Sequence, residues 1–90
     1  MTKDQVAEIL DEIGTLLELR GENKFKCIAF HNAARTIGAL TKNLDELVAA
    51  GELRSIKGIG QSLAENITEL MTTGGMKYYD QLKKSLPEGL

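Results

Sequence analysis

Ninety residues with a formal net charge of −2, 42% of them hydrophobic and 27% charged, make one globular domain rather than a disordered chain. A chain of this length buries roughly 60–65% of its unfolded surface, enough for a single core. No apolar run approaches the ~18 residues of a membrane span, Met1 to Gln5 carry no signal-peptide apolar region, and the lone Cys27 with the lone His31 excludes an internal disulfide and a Cys/His zinc site. The expectation is a cytoplasmic protein without a membrane partner.

In chain order the pattern predicts five helices and no strand. Thr2 with Gln5 has the capping-box form, so a first helix starts near residue 3. Its apolar positions Val6, Ile9, Leu10, Ile13, Leu16 and Leu17 keep helical spacing, and Gly21 follows as a stop. Asn23 caps a second helix reaching about Leu40, with Phe25, Ile28, Ala29, Ala33, Ile37 and Leu40 on one stripe. Asn43 and Glu46 repeat the box ahead of a short helix, Leu44 to Ala50, closed by Gly51. A fourth helix runs from Gln61 to about Thr73 and ends at Gly74–Gly75, and a fifth spans about Met76 to Ser85, before Pro87. Short loops throughout predict an all-α fold, a compact orthogonal bundle forming one domain over residues 1–90.

The segment between the third and fourth helices carries the chemistry. Leu53, Ile56, Ile59, Leu63, Ala64 and Ile67 are its apolar points, and Gly58 and Gly60 bracket Ile59. A helix that starts at such a turn presents unsatisfied N–H groups, a ready phosphate site, and glycines let the phosphate approach the backbone. Gly58, Ile59, Gly60 and Gln61 would supply N–H groups, with Lys57 and Ser62 adding side chains. On its own, Gly-Ile-Gly reads as a corner that only lets two helices pack closely, and the flanking Leu53, Ile56, Leu63, Ala64 and Ile67 turn the reading to a phosphate-binding hairpin.

Charge distribution supports a local phosphate site. Residues 1–22 hold six acids and two bases, whereas residues 23–64 hold six bases and three acids. Lys24, Lys26, His31 and Arg35 lie on or before the second helix, and three of them, spaced by seven and four, fall near one face as a second backbone contact or a plain solvated face. His31 has no sequence partner for metal binding or base catalysis. Tyr78 and Tyr79 read as core residues and Cys27 as a small buried side chain. No nucleophile–base or paired-carboxylate arrangement suggests catalysis, so the chain alone is read as no enzyme and needing no cofactor.

The hairpin segment resembles a helix-hairpin-helix, a module that grips the DNA backbone without reading bases. Over essentially the whole chain, the run Leu17 to Lys26, then Ala29-Phe30, Ala33 to Ile37, the hairpin, Thr73-Gly74, Tyr78-Tyr79 and the tail Leu86 to Leu90 resemble the N-terminal domain of bacterial, DNA polymerase beta-like family X DNA polymerases. The resemblance implies a DNA-repair module that binds gapped DNA and recognises a 5′-phosphate, nucleoid-associated when DNA-bound. It also implies a monovalent cation, Na⁺ or K⁺, on the carbonyls of Arg54, Ile56 and Ile59. By the same resemblance Lys26, Arg35 and Arg54 keep the family's charge. The position of the lyase lysine is Asn66, a neighbouring pocket lysine is Ser62, and Phe30, His31 and Asn32 replace a tyrosine followed by basic residues, with Ile28 at a further basic position. An amide cannot form a Schiff base. The family's polymerase palm is not in this sequence, as in an excised domain or a free-standing relative. The reading is a monomeric DNA-backbone binder without polymerase or lyase chemistry. Its rivals are a protein-interaction module that kept the fold and lost DNA affinity, and a lyase using another amine such as Lys57 or Lys77.

Overall fold

The computed structural model describes residues 1–85 and arranges them as α1 (Lys3–Leu19), α2 (Lys24–Gly38), α3 (Leu44–Ala50), α4 (Gln61–Thr73) and α5 (Lys77–Ser85), with a 3₁₀ turn at Leu53–Ser55. No strand occurs among the described residues. The tail motif from Leu86 to Leu90, with the stop before Pro87, lies outside them.

Most boundaries follow from local chemistry. Thr2 Oγ1 accepts from Gln5 N at 3.2 Å while Thr2 N donates to Gln5 Oε1 at 2.9 Å, so the capping box closes in full. Asn23 and Asn43 accept from Phe25 N at 2.7 Å and Asp45 N at 2.9 Å. The second box is half formed, because among the described residues Glu46 returns no bond to Asn43. The start of α5 is capped from a distance: Lys77 N donates to Glu69 Oε2 of α4 at 2.8 Å. Two ends moved by a residue or two. Helix α2 stops at Gly38, and α5 starts at Lys77, after the buried Met76.

The core-facing stripe of α2 differs from the expected one. Cys27, Phe30, Ala33, Ala34 and Ile37 are buried, whereas Phe25 is 82% and Ile28 50% exposed, and Ala29 is exposed as well. This helix is apolar on more than one side, and contact with its partners selects the stripe at 27, 30, 34 and 37. That choice puts the Phe30 ring against Tyr78 of α5, with centroids 6.0 Å apart.

Helices α1 and α2 pack along each other, and α1 also touches α4 and α5. Leu10, Ile13, Leu17, Ile37, Ile67, Leu70, Met76 and Leu82 fill the centre. Three polar ties bind α1 at the rim. Lys3 Nζ donates to Leu40 O, the Tyr79 hydroxyl donates to Glu12, and His31 of α2 reaches two carboxylates. Burial first, and the Glu12 bond second, push the Tyr79 hydroxyl up to about 12. His31 Nδ1 stands 2.6 Å from Asp11 and Nε2 2.5 Å from Glu18, and the ring lies over Gly14, where a Cβ would come within 2.7 Å of Nε2.

Candidate nucleic-acid interface

The chain enters the hairpin through the 3₁₀ turn and leaves it as α4. Ile59 is the anchor: its side chain is 4% exposed, while Lys57, Gly58, Gly60, Gln61 and Ser62 are on the surface around it. Burying one isoleucine in the middle of the turn pins the loop to the core and leaves its backbone facing outward. The two glycines serve different needs. Gly58 has φ +90°, where a side chain would be strained. Gly60 is the N-cap of α4 at φ −85° and ψ −174°, backbone any residue adopts, and a Cβ there meets nothing within 4 Å. The fold therefore requires glycine at 58, and at 60 it leaves open space.

No side chain caps α4. The N–H groups of Gly58, Gly60, Gln61 and Ser62 have no partner among the described residues, so a cluster of donors points outward at the positive end of a helix dipole. Ile59 departs from expectation here. Its N–H donates to Ile56 O at 3.0 Å, which tightens the turn and removes it from the donors.

Across from this helix start lies a cleft of about 610 Å³ walled by α2, α4 and α5. Lys26, Phe30, Gly60, Gln61, Ser62, Glu65, Asn66 and Tyr78 line it. Of the basic residues singled out from the sequence, Lys26 is the one the fold brings onto the cleft with the hairpin. Its ammonium sits 5.4 Å from the centre of the Tyr78 ring. Glu65 is the acid on this wall, and its carboxylate accepts from Gln61 Nε2 at 3.4 Å.

The other expected contacts are dispersed. Arg54 lines a second groove that adjoins the first along α4, with Gln61 and Glu65 common to both. Lys24 borders a hollow at the α1–α2 corner with Glu18, Glu22 and Ile28. His31 and Arg35 line the groove between α1 and α2, beside Glu8 and Asp11. Asp11 and then Glu18, bonded to the ring nitrogens, raise the His31 pKa, so its charge is directed into α1. The expected face of Lys24, His31 and Arg35 is thus not one surface with the hairpin.

One cleft residue has a part that the sequence reading does not give it. Tyr78 was placed in the core, and its ring does pack on Phe30, yet it also walls the cleft. Nothing local marks it, because the contact joins α5 to α2 across nearly fifty residues. Asn66 stands one turn of α4 beyond Ser62 on the same wall, as the helical spacing of four requires.

The helix-hairpin-helix domain family matches this chain over residues 1–76. Over all 90 of its residues the chain is 32% identical to the DNA polymerase/3′-5′ exonuclease PolX of Bacillus subtilis (strain 168), and it spans 15% of the length of that relative. A buried apolar residue between two glycines, a left-handed Gly58 and an uncapped α4 agree with that match, and the chain belongs to the helix-hairpin-helix domain family.

Proposed function

We propose that this chain binds the DNA backbone without reading sequence, and that its preferred site is gapped DNA carrying a 5′-phosphate. The observation that carries the proposal is the uncapped start of α4, which faces Lys26 across an open cleft. N–H groups without a partner among the described residues, a helix dipole and one exposed cation form an anion site of the kind a phosphodiester or a terminal phosphate fills. The family match and the likeness to a DNA polymerase favour DNA as the source of that phosphate. Lys57, next to the hairpin and exposed, supplies a further cation.

The carbonyls of Arg54, Ile56 and Ile59 are oxygen donors of the type that hard cations take, and they are proposed to hold Na⁺ or K⁺. Ile56 O already accepts from Ile59 N, and its second lone pair remains for an ion. Chemistry on the bound DNA is not part of the proposal, since Asn66 offers an amide on the cleft wall where covalent catalysis would need an amine. A protein-interaction module is the second reading. Leu19, Phe25 and Ile28, exposed around the α1–α2 corner, favour it.

Gly60→Ala separates the two. The new Cβ meets nothing in the protein but stands where a phosphate must approach. Two small effects on stability oppose each other: alanine is a poorer N-cap, and it restricts the unfolded chain. The variant should melt within a few degrees of the unchanged chain while binding gapped, 5′-phosphorylated DNA roughly ten-fold more weakly, about 1.4 kcal/mol, by fluorescence anisotropy at low salt. Undiminished affinity in the folded variant would refute phosphate contact at the hairpin.

A further inference from the structure

We propose that the Tyr78 hydroxyl donates to a phosphate oxygen in the cleft, and that this residue gives the chain its preference for a phosphorylated DNA end. The inference rests on the DNA-backbone reading and adds to it a residue from α5. The ring has two neighbours of note. It stacks on Phe30 with centroids 6.0 Å apart and planes 17° from parallel, and Lys26 Nζ lies 5.4 Å from its centre. Both contacts belong to the ring, so a phenylalanine would keep them.

The hydroxyl oxygen is buried and has no hydrogen-bond partner among the described residues. The next residue shows the contrast, because the Tyr79 hydroxyl donates to Glu12. A buried hydroxyl without an acceptor costs the free protein stability, and phenylalanine would avoid that cost. The groups that line the cleft with Tyr78 define the acceptor it waits for. Lys26 is a cation, Gln61 and Ser62 present N–H groups, Asn66 adds a neutral amide, and Glu65, the acid of this wall, is engaged by Gln61 Nε2 at 3.4 Å. Such a set favours an anionic oxygen, and a phosphate brings several to one place. Lys26 is exposed and forms no ion pair among the described residues, so it can leave the ring for the phosphate, and reaching the buried hydroxyl requires the side chains over it to part as the phosphate enters.

The test compares the unchanged chain with Tyr78→Phe on gapped DNA bearing either a 5′-phosphate or a 5′-hydroxyl, by anisotropy at low salt, and melts both proteins without DNA. The unchanged chain should bind the phosphorylated gap more tightly. The variant should lose roughly ten-fold on the phosphorylated gap and little on the other, as expected for one hydrogen bond to a charged oxygen. Its melting temperature should rise by about 4 °C or more, because the unsatisfied hydroxyl is gone. Equal affinity of both proteins for phosphorylated DNA overturns the inference and leaves the backbone reading in place. A loss equal on both ends, or a fall in melting temperature, also overturns it, since the hydroxyl would then serve general contact or the fold. No affinity of the unchanged chain for either DNA overturns both readings.

Discussion

His31 is held at both ring nitrogens by carboxylates of the neighbouring helix, and an imidazole donates at both only when it is protonated. Asp11 and Glu18 raise its pKa above the ordinary 6.5 of the side chain. A raised folded-state value means the clip contributes its full stability below pH 6.5 and loses it as the pH climbs through the folded pKa. Unfolding free energy measured across pH 5 to 9 should fall through that upper window, and His31→Ala should flatten the profile. Gly14 is part of the same device, because a Cβ there would meet the ring at 2.7 Å. In the unchanged background Gly14→Ala should destabilise by displacing His31 from its carboxylates. In the His31→Ala background the same change should stabilise by up to about 1 kcal/mol, the helix propensity of alanine over glycine. Additive effects in urea melts of the four proteins would show that ring and glycine are uncoupled. None of this was legible in the sequence, where His31 looked partnerless. Its partners lie thirteen and twenty residues away, on another helix.

At the scale of the elements, the helices were legible because capping residues and apolar spacing agreed along most of the chain. Thr2 with Gln5, Asn23, Asn43 and the stop at Gly21 mark ends that the hydrogen bonds and the left-handed glycine bear out. Helix α2 is the instructive exception. Two apolar stripes compete on it, and spacing alone cannot rank Phe25 and Ile28 against Cys27 and Phe30. Tertiary contact decides, placing Phe30 at 7% exposure and Phe25 at 82%. The two phenylalanines should therefore answer oppositely to truncation. Phe30→Ala removes a buried ring and its stack on Tyr78, and should cost about 3–5 kcal/mol in a urea melt. Phe25→Ser should stay within about 0.5 kcal/mol. A large loss at Phe25 would mean that its ring is covered in solution, and would strengthen the protein-interaction reading.

For the whole molecule the question is how an acidic chain holds an anionic polymer. Segregation of charge answers it. The first 22 residues carry four more acids than bases, and residues 23–64 carry three more bases than acids. Some of the acids of α1 are bonded to His31 and Tyr79 at the surface, so the fold uses them as ties. The hairpin and the cleft carry the opposite balance, with Lys26 and Lys57 nearest and Arg54 on the flank. The sequence located this hairpin correctly, but it also enlisted Lys24, His31 and Arg35, which the fold turns toward other grooves. Few cations remain to neutralise phosphates, and that number is measurable. Each neutralised phosphate contributes about 0.9 to the slope of log affinity against log salt, so three contacts predict a slope of about −3. Lys26→Gln and Lys57→Gln should each reduce its magnitude by about 0.9, whereas Arg35→Gln should leave it unchanged. An Arg35 variant that flattened the slope as much as Lys26→Gln would place DNA along the α1–α2 groove, against the acids of α1. A slope of −6 or steeper would require a basic surface wider than the hairpin and its cleft provide.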